Sequence, residues 1–155
     1  IWLRSQGGNA RAGNEAGRFI ESTRYLVTRI PEGWVCFSSC NFIFMGGLER
    51  KIDEGGVFMV HMFTHTNDRW KIDDAVVAGS EATPELIASI EQSSALLARE
   101  DNDFLIKMGI SRKLLTEVMY RQQAVASEKN PSTRDCLARE EALKYNVMTQ
   151  RRPAP

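Results

Sequence analysis

The chain has 155 residues, 43% hydrophobic and 26% charged, and its 20 basic residues balance 20 acidic ones. That is the composition of one ordinary globular domain, long enough to bury roughly two-thirds of its unfolded surface without a disulfide framework or a structural metal. Zero formal charge, with no Lys/Arg cluster beside aromatics, excludes nucleic acid as an electrostatic partner, and no apolar run approaches the length of about 20 residues that a membrane span needs.

In chain order, Ile1-Trp2-Leu3 reads as a strand already under way, so earlier strands or a signal peptide are expected upstream. It leads into Ser5-Gln6-Gly7-Gly8-Asn9, where paired glycines permit a tight turn. Residues from Ala12 to Leu26 read as a helix with Ala16, Phe19, Ile20 and Thr23 near one face. Strand, glycine turn and helix open a βαβ unit. Tyr25 to Ile30 is β-rich and is stopped by Pro31-Glu32-Gly33, and Trp34-Val35-Cys36-Phe37 is a second strand. Ser38-Ser39-Cys40 then leads into Asn41 to Met45, read as a buried helix closed by Gly46-Gly47.

Val57 to Met62 is a buried strand carrying His61, and Phe63 to Ala82, polar and without a clean period, is expected as a loop. Thr83-Pro84-Glu85 starts a helix, with Thr83 as its cap, that runs through Leu86, Ile90, Leu97, Phe104, Leu105 and Met108 to Gly109. Ser111 caps a third helix with Leu114, Leu115, Val118 and Met119 as its buried stripe. Ala126 to Thr133 leaves regular structure. Glu140 to Tyr145 is a last short helix that Asn146 ends in the left-handed conformation. Arg151 to Pro155 has the composition of a tail, which leaves 1–150 as a single domain.

Three residue groups fall at the ends of expected strands: Gly7-Gly8, Ser38 and His61. Open α/β sheets build ligand sites there. A serine hydroxyl needs a base to take its proton, and an acyl-transfer intermediate needs backbone N–H donors for its oxyanion. Gly8 offers an unhindered N–H, and the N–H of Ser39 stands at a helix start. Each residue also has an ordinary structural reading, since serines cap helices, histidines sit hydrogen-bonded in cores and glycines make turns.

Ser5-Gln6-Gly7-Gly8 with Gly13 resembles the Ser-Pro-Gly-Gly segment of the proteolytic subunit of the Clp protease. Cys36-Phe37-Ser38-Ser39-Cys40 through Gly46-Gly47 is similar to that family's nucleophile helix, and Val57-Phe58-Met59-Val60-His61 to its histidine strand. A branch of often exported Clp-like proteins with a Cys-x-Ser-Ala-Cys stretch is more similar still. Leu137 to Val147 resembles the Leu-Ser-x-x-Glu-Ala segment of the Clp and crotonase superfamily.

The resemblance implies an α/β fold of the Clp/crotonase type, lacking its first strands here, and a serine peptidase of peptides or proteins that needs no cofactor or metal. It makes Ser38 the nucleophile, chosen over Ser39 by the alignment to Gly47 and by the flanking cysteines. His61 becomes the general base, with His65 as runner-up, and the N–H groups of Gly8 and Ser39 the oxyanion hole. Asp135 is the candidate acid, one place later than the family pattern, in Arg134-Asp135-Cys136. Gln6 stands where the family has proline. The resemblance also implies export to the periplasm or beyond and assembly of several copies, for which the helix from Thr83 to Met108 offers an apolar face. Two other readings follow from the same residues: a fold that kept its shape as a binding module, and crotonase-type acyl-CoA chemistry, which leaves Ser38 without a role. Cys36 and Cys40 either bond across the turn or remain reduced buried thiols, and the spacing leaves both open.

Overall fold

The computed structural model describes residues 1–63, 69–123, 125–129 and 132–149. Its elements are α1 (Ala10–Ser22), β1 (Val27–Ile30), β2 (Val35–Phe37), α2 (Cys40–Met45), β3 (Glu49–Ile52), β4 (Val57–Val60), α3 (Arg69–Ala78), α4 (Thr83–Lys107), β5 (Asp135–Cys136) and α5 (Arg139–Lys144). β1 pairs with β3 in parallel, while β2 pairs in parallel with β4, whose other edge carries β5 antiparallel. The N-terminal segment connects the two sheets, because Trp2 bridges to Arg29 of β1 and Ser5 to Cys36 of β2. Parallel neighbours require a crossover, and α2 lies within both crossovers. The chain is therefore a mixed α/β fold, as its pattern of strands and helices indicates.

The strands bury alternate residues, Thr28 and Ile30, Cys36, Phe58 and Val60, against α2, the C-terminal half of α4 and the Val147–Met148 segment. Phe44 meets Phe58 with ring centres 5.6 Å apart, and Phe42 meets Phe104 edge to face at 5.3 Å. Arg50 is a buried cation that donates to the carbonyls of Gly47, Asn146 and Val147, which ties the end of the chain to β3. Burial lowers its pKa to about 10.

Several expectations are corrected. The first helix is Ala10–Ser22, started by Asn9, whose side chain accepts from the Ala12 N–H at 3.0 Å. Its buried face is Gly13, Asn14, Gly17 and Ile20, and Phe19 is 71% exposed. Glycines were passed over because a hydrophobic pattern scores side chains, whereas here the absence of one is what packs. A Cβ on Gly13 would stand 2.5 Å from the Ser39 carbonyl oxygen. One on Gly17 would strike the Phe42 carbonyl and lie 2.9 Å from the Phe104 ring. Asn14 donates to the buried Asp101 of α4 at 3.3 Å and accepts from Arg18 at 2.8 Å. Burial raises the Asp101 carboxyl to about 7.

The expected loop from Phe63 to Ala82 contains α3 and a 3-10 turn at Ser80–Ala82. α3 shows no amphipathic period because it exposes apolar and polar side chains alike. The cap of α4 is Ala82, with Thr83 already helical, and its C-terminal end is left at Gly109, φ +65°. The third helix is instead a π-helical turn, Leu114–Val118, and a 3-10 turn, Met119–Arg121, though its buried stripe is the expected one. β4 ends at Val60, so His61 stands past the strand, half-buried. β3 and the two-residue β5 carry no strong apolar alternation and were not foreseen. Asn146 does take the left-handed conformation, φ +57°. The expected tail from Arg151 to Pro155 lies outside the described residues.

Gly17→Ala tests the backbone contact between α1 and α2. It should destabilise the fold by about 2–3 kcal/mol in chemical denaturation, because neither the Phe42 carbonyl nor the Phe104 ring can yield freely; unchanged stability would show that the two helices separate easily.

Candidate active site

β2 delivers Ser38 at its carboxyl end, and the chain turns there from strand into helix within two residues. Ser38 has φ +59°, a conformation that non-glycine residues adopt only when the surroundings hold them in it. Such a strand-to-helix turn lifts a side chain clear of its own backbone. The surroundings are a disulfide between Cys36 and Cys40, with Cα atoms 5.3 Å apart, and a hydrogen bond from the Asn41 N–H to the Ser38 carbonyl at 2.9 Å. The pairing left open by the sequence is therefore a bond. Asn41 also donates its side-chain amide to the Met59 carbonyl at 2.7 Å, which locks α2 to β4.

His61 reaches across from the end of β4, with Nε2 2.7 Å from Ser38 Oγ. The Met62 backbone beside the ring favours its protonated form. With Nε2 facing Ser38, the tautomer that carries its hydrogen on Nδ1 leaves Nε2 free to accept the serine proton. Burial is the largest influence on the imidazole and lowers its pKa below the ordinary 6.5, and the positive charge of Arg134 lowers it further.

The turn at Ser5 to Gly8 lies against this pair. Ser5 donates its N–H to Val35 and accepts from Phe37, its hydroxyl accepts from the Gly7 N–H at 3.1 Å, and Gly7 has φ +91°. A Cβ on Gly7 would stand 2.5 Å from the Ser38 Cβ, so glycine is required there. These bonds hold the turn with Gln6 at the second position. Gly8 lies beside Ser39, and among the described residues the N–H groups of Gly8 and Ser39 donate to no partner.

Asp135 is not brought to His61. β4 and β5 pair Val60 with Asp135 and Met59 with Cys136, so the register sets Arg134 opposite His61 and turns Asp135 to the other face. His61 and Asp135 share no hydrogen bond or ion pair, and Asp135 is exposed. Among the described residues no carboxylate acts on the imidazole. His65 lies outside the described residues. The sequence reading missed Asn41, Met62 and Arg134; of these only Arg134 had a signal, since it occupies the position at which the family acid was sought. Among the described residues no cluster of His, Cys, Asp and Glu could hold a metal, and no helix is long and apolar enough to cross a membrane.

Two grooves, about 830 Å³ beside Asp53 and Arg139 and about 490 Å³ beside Tyr25 and Lys107, are not lined by Ser38 or His61. No protein-family model, curated protein or solved structure matches this chain.

Thiol counting checks the bond at the turn. The unfolded, unreduced protein should show one reactive thiol, Cys136, rising to three on reduction; three thiols before reduction would remove the bond from the account of Ser38.

Proposed function

We propose that this chain is a serine hydrolase of the Clp/crotonase type, most readily a peptidase, acylated at Ser38. The observation that carries this reading is the 2.7 Å approach of His61 Nε2 to Ser38 Oγ at a left-handed strand-to-helix turn. Ser38 Oγ attacks the scissile carbonyl while Nε2 takes its proton, and the N–H groups of Gly8 and Ser39 receive the oxyanion. His61 returns the proton to the leaving amine, then deprotonates a water that releases the acyl group from Ser38.

Among the described residues no carboxylate acts on His61; the Met62 backbone favours the imidazolium and Arg134 opposes it. Loss of the orienting acid costs a triad enzyme about 10⁴-fold in turnover, so this site is a slow one. The same deficit favours a second reading, a Clp-like fold kept for binding or assembly.

A fluorophosphonate probe separates the two. It should label the native protein, and Ser38→Ala should abolish labelling; His61→Ala should slow it by about 10²–10⁴-fold. The base must be neutral to act, and its pKa is lowered, so labelling should persist below pH 6.5 and fail only in more acid solution. No reaction at any pH with the native fold intact would establish the binding module.

The partner, beyond a peptide or protein substrate, is proposed to be further copies of the same chain. α3 packs on α4, and from Thr83 to Leu96 α4 buries no residue, leaving Trp70, Val76 and Ile87 exposed on this helical pair. The chain carries no net charge, so copies do not repel one another at a distance. Sedimentation should show a self-associating species that Val76→Glu combined with Ile87→Glu returns to monomer; a wild-type monomer at high micromolar concentration would reject the proposal.

A further inference from the structure

We propose that Arg134 recognises a carboxylate of the substrate close to the scissile carbonyl, which makes anionic acyl or peptide chains the preferred substrates. This rests on the hydrolase reading of Ser38 and His61 and names the substrate class for that site.

The β4–β5 register sets Arg134 across from His61. The guanidinium carbon lies 4.9 Å from the centre of the Phe37 ring, and the same ring centre is 4.8 Å from that of His61. Phe37 is the residue before Ser38, so cation, aromatic ring, base and nucleophile form one continuous edge. The Ser132 hydroxyl bonds both the N–H and the carbonyl of Arg134, which fixes its backbone beside that edge. Arg134 is exposed and makes no ion pair among the described residues, since Asp135 faces the other way.

A cation placed against a general base without a counter-ion is a cost to catalysis if nothing else binds it, because it opposes formation of the imidazolium. A guanidinium offers a planar fork of donors that matches a carboxylate, and stacking on Phe37 leaves that fork free. A bound carboxylate cancels the charge and raises the basicity of His61 as the substrate arrives. Among the described residues Arg134 is the charge that acts on the imidazole, so recognition and activation run through one side chain. The substrate thus supplies part of what an enzyme acid would supply.

The test uses two esters with five-carbon acyl chains, anionic mono-p-nitrophenyl glutarate and neutral p-nitrophenyl valerate. The wild type should prefer the glutarate by about tenfold in kcat/KM, Arg134→Gln should erase the preference, and Arg134→Lys should keep part of it. With the neutral ester, Arg134→Gln should move the acid limb of the pH profile upward, a change a merely structural role would not produce. Amidated peptides with an internal glutamate, beside glutamine versions with a free end, tell a side-chain carboxylate from a chain terminus. In Ser38→Ala, which cannot turn over, glutarate should raise the His61 imidazole pKa read by NMR and glutaramide should not. The added Arg134→Gln change should abolish that response. Equal rates for the two esters, or no response to glutarate, overturn the proposal. If Ser38 is not labelled and neither ester is cleaved, the hydrolase reading fails alone, and the NMR titration still decides whether Arg134 binds a carboxylate.

Discussion

The geometry of the site depends on how closely the backbones of α1 and α2 approach. Gly13 and Gly17 contribute no side chain of their own to the contact, so the carbonyls of Ser39 and Phe42 lie directly on α1, and the backbone of Gly17 in turn lies against Gly46. α1 begins immediately after the Gly7–Gly8 turn, and α2 begins immediately after Ser38 and Ser39. Pressing the helices together therefore presses the turn onto the serines, with Gly7 against Ser38 and Gly8 beside Ser39. A helix pair separated by ordinary side chains, with axes about 8–10 Å apart, would leave Gly8 farther from Ser39.

The electrostatics of His61 are set by the same economy of parts. An imidazole can be oriented by any acceptor at Nδ1, and the backbone influence that favours the protonated ring comes from Met62. A neutral backbone group does not, however, compensate the charge that appears when Nε2 takes a proton. Burial and Arg134 both act against that charge. Orientation and charge compensation, which a carboxylate would supply together, are here divided, and only the first is built into the described residues.

The sequence made the α/β class legible because β1, β2 and β4 carry β-branched or aromatic residues between turn signals, and because Asn146 and Gly109 mark their turns by chemistry that little else satisfies. Ser38 and His61 were legible by their places at strand ends. What stayed hidden has physical causes. α1 packs through missing side chains, which no hydrophobic count registers. β3 is charged and half-exposed, and β5 is two residues long, so neither has a period of its own; the pairing of β5 with β4 fixes it. That pairing also decides that Arg134 rather than Asp135 shares a face with His61, because one step of register reverses every side chain. The redox state of Cys36 and Cys40 was undetermined by spacing because the turn between them, not the interval of four, sets their approach.

The disulfide and the left-handed Ser38 bear on one another. A non-glycine residue in that region costs of order 1–2 kcal/mol, and a short segment does not hold it without outside support. The bond closes the chain from the buried end of β2 to the first residue of α2, and the Asn41 bonds to Ser38 and Met59 fix the far side. Removing the cross-link would free the turn to relax into ordinary backbone, with the hydroxyl swinging away from Nε2. Cys36 and Cys40 are themselves members of the apolar core, so the cross-link serves packing and the serine–histidine contact together. The apolar core sustains the sheets, whereas the position of Ser38 is sustained by one covalent bond, two hydrogen bonds of a single asparagine and the glycine contact with α1.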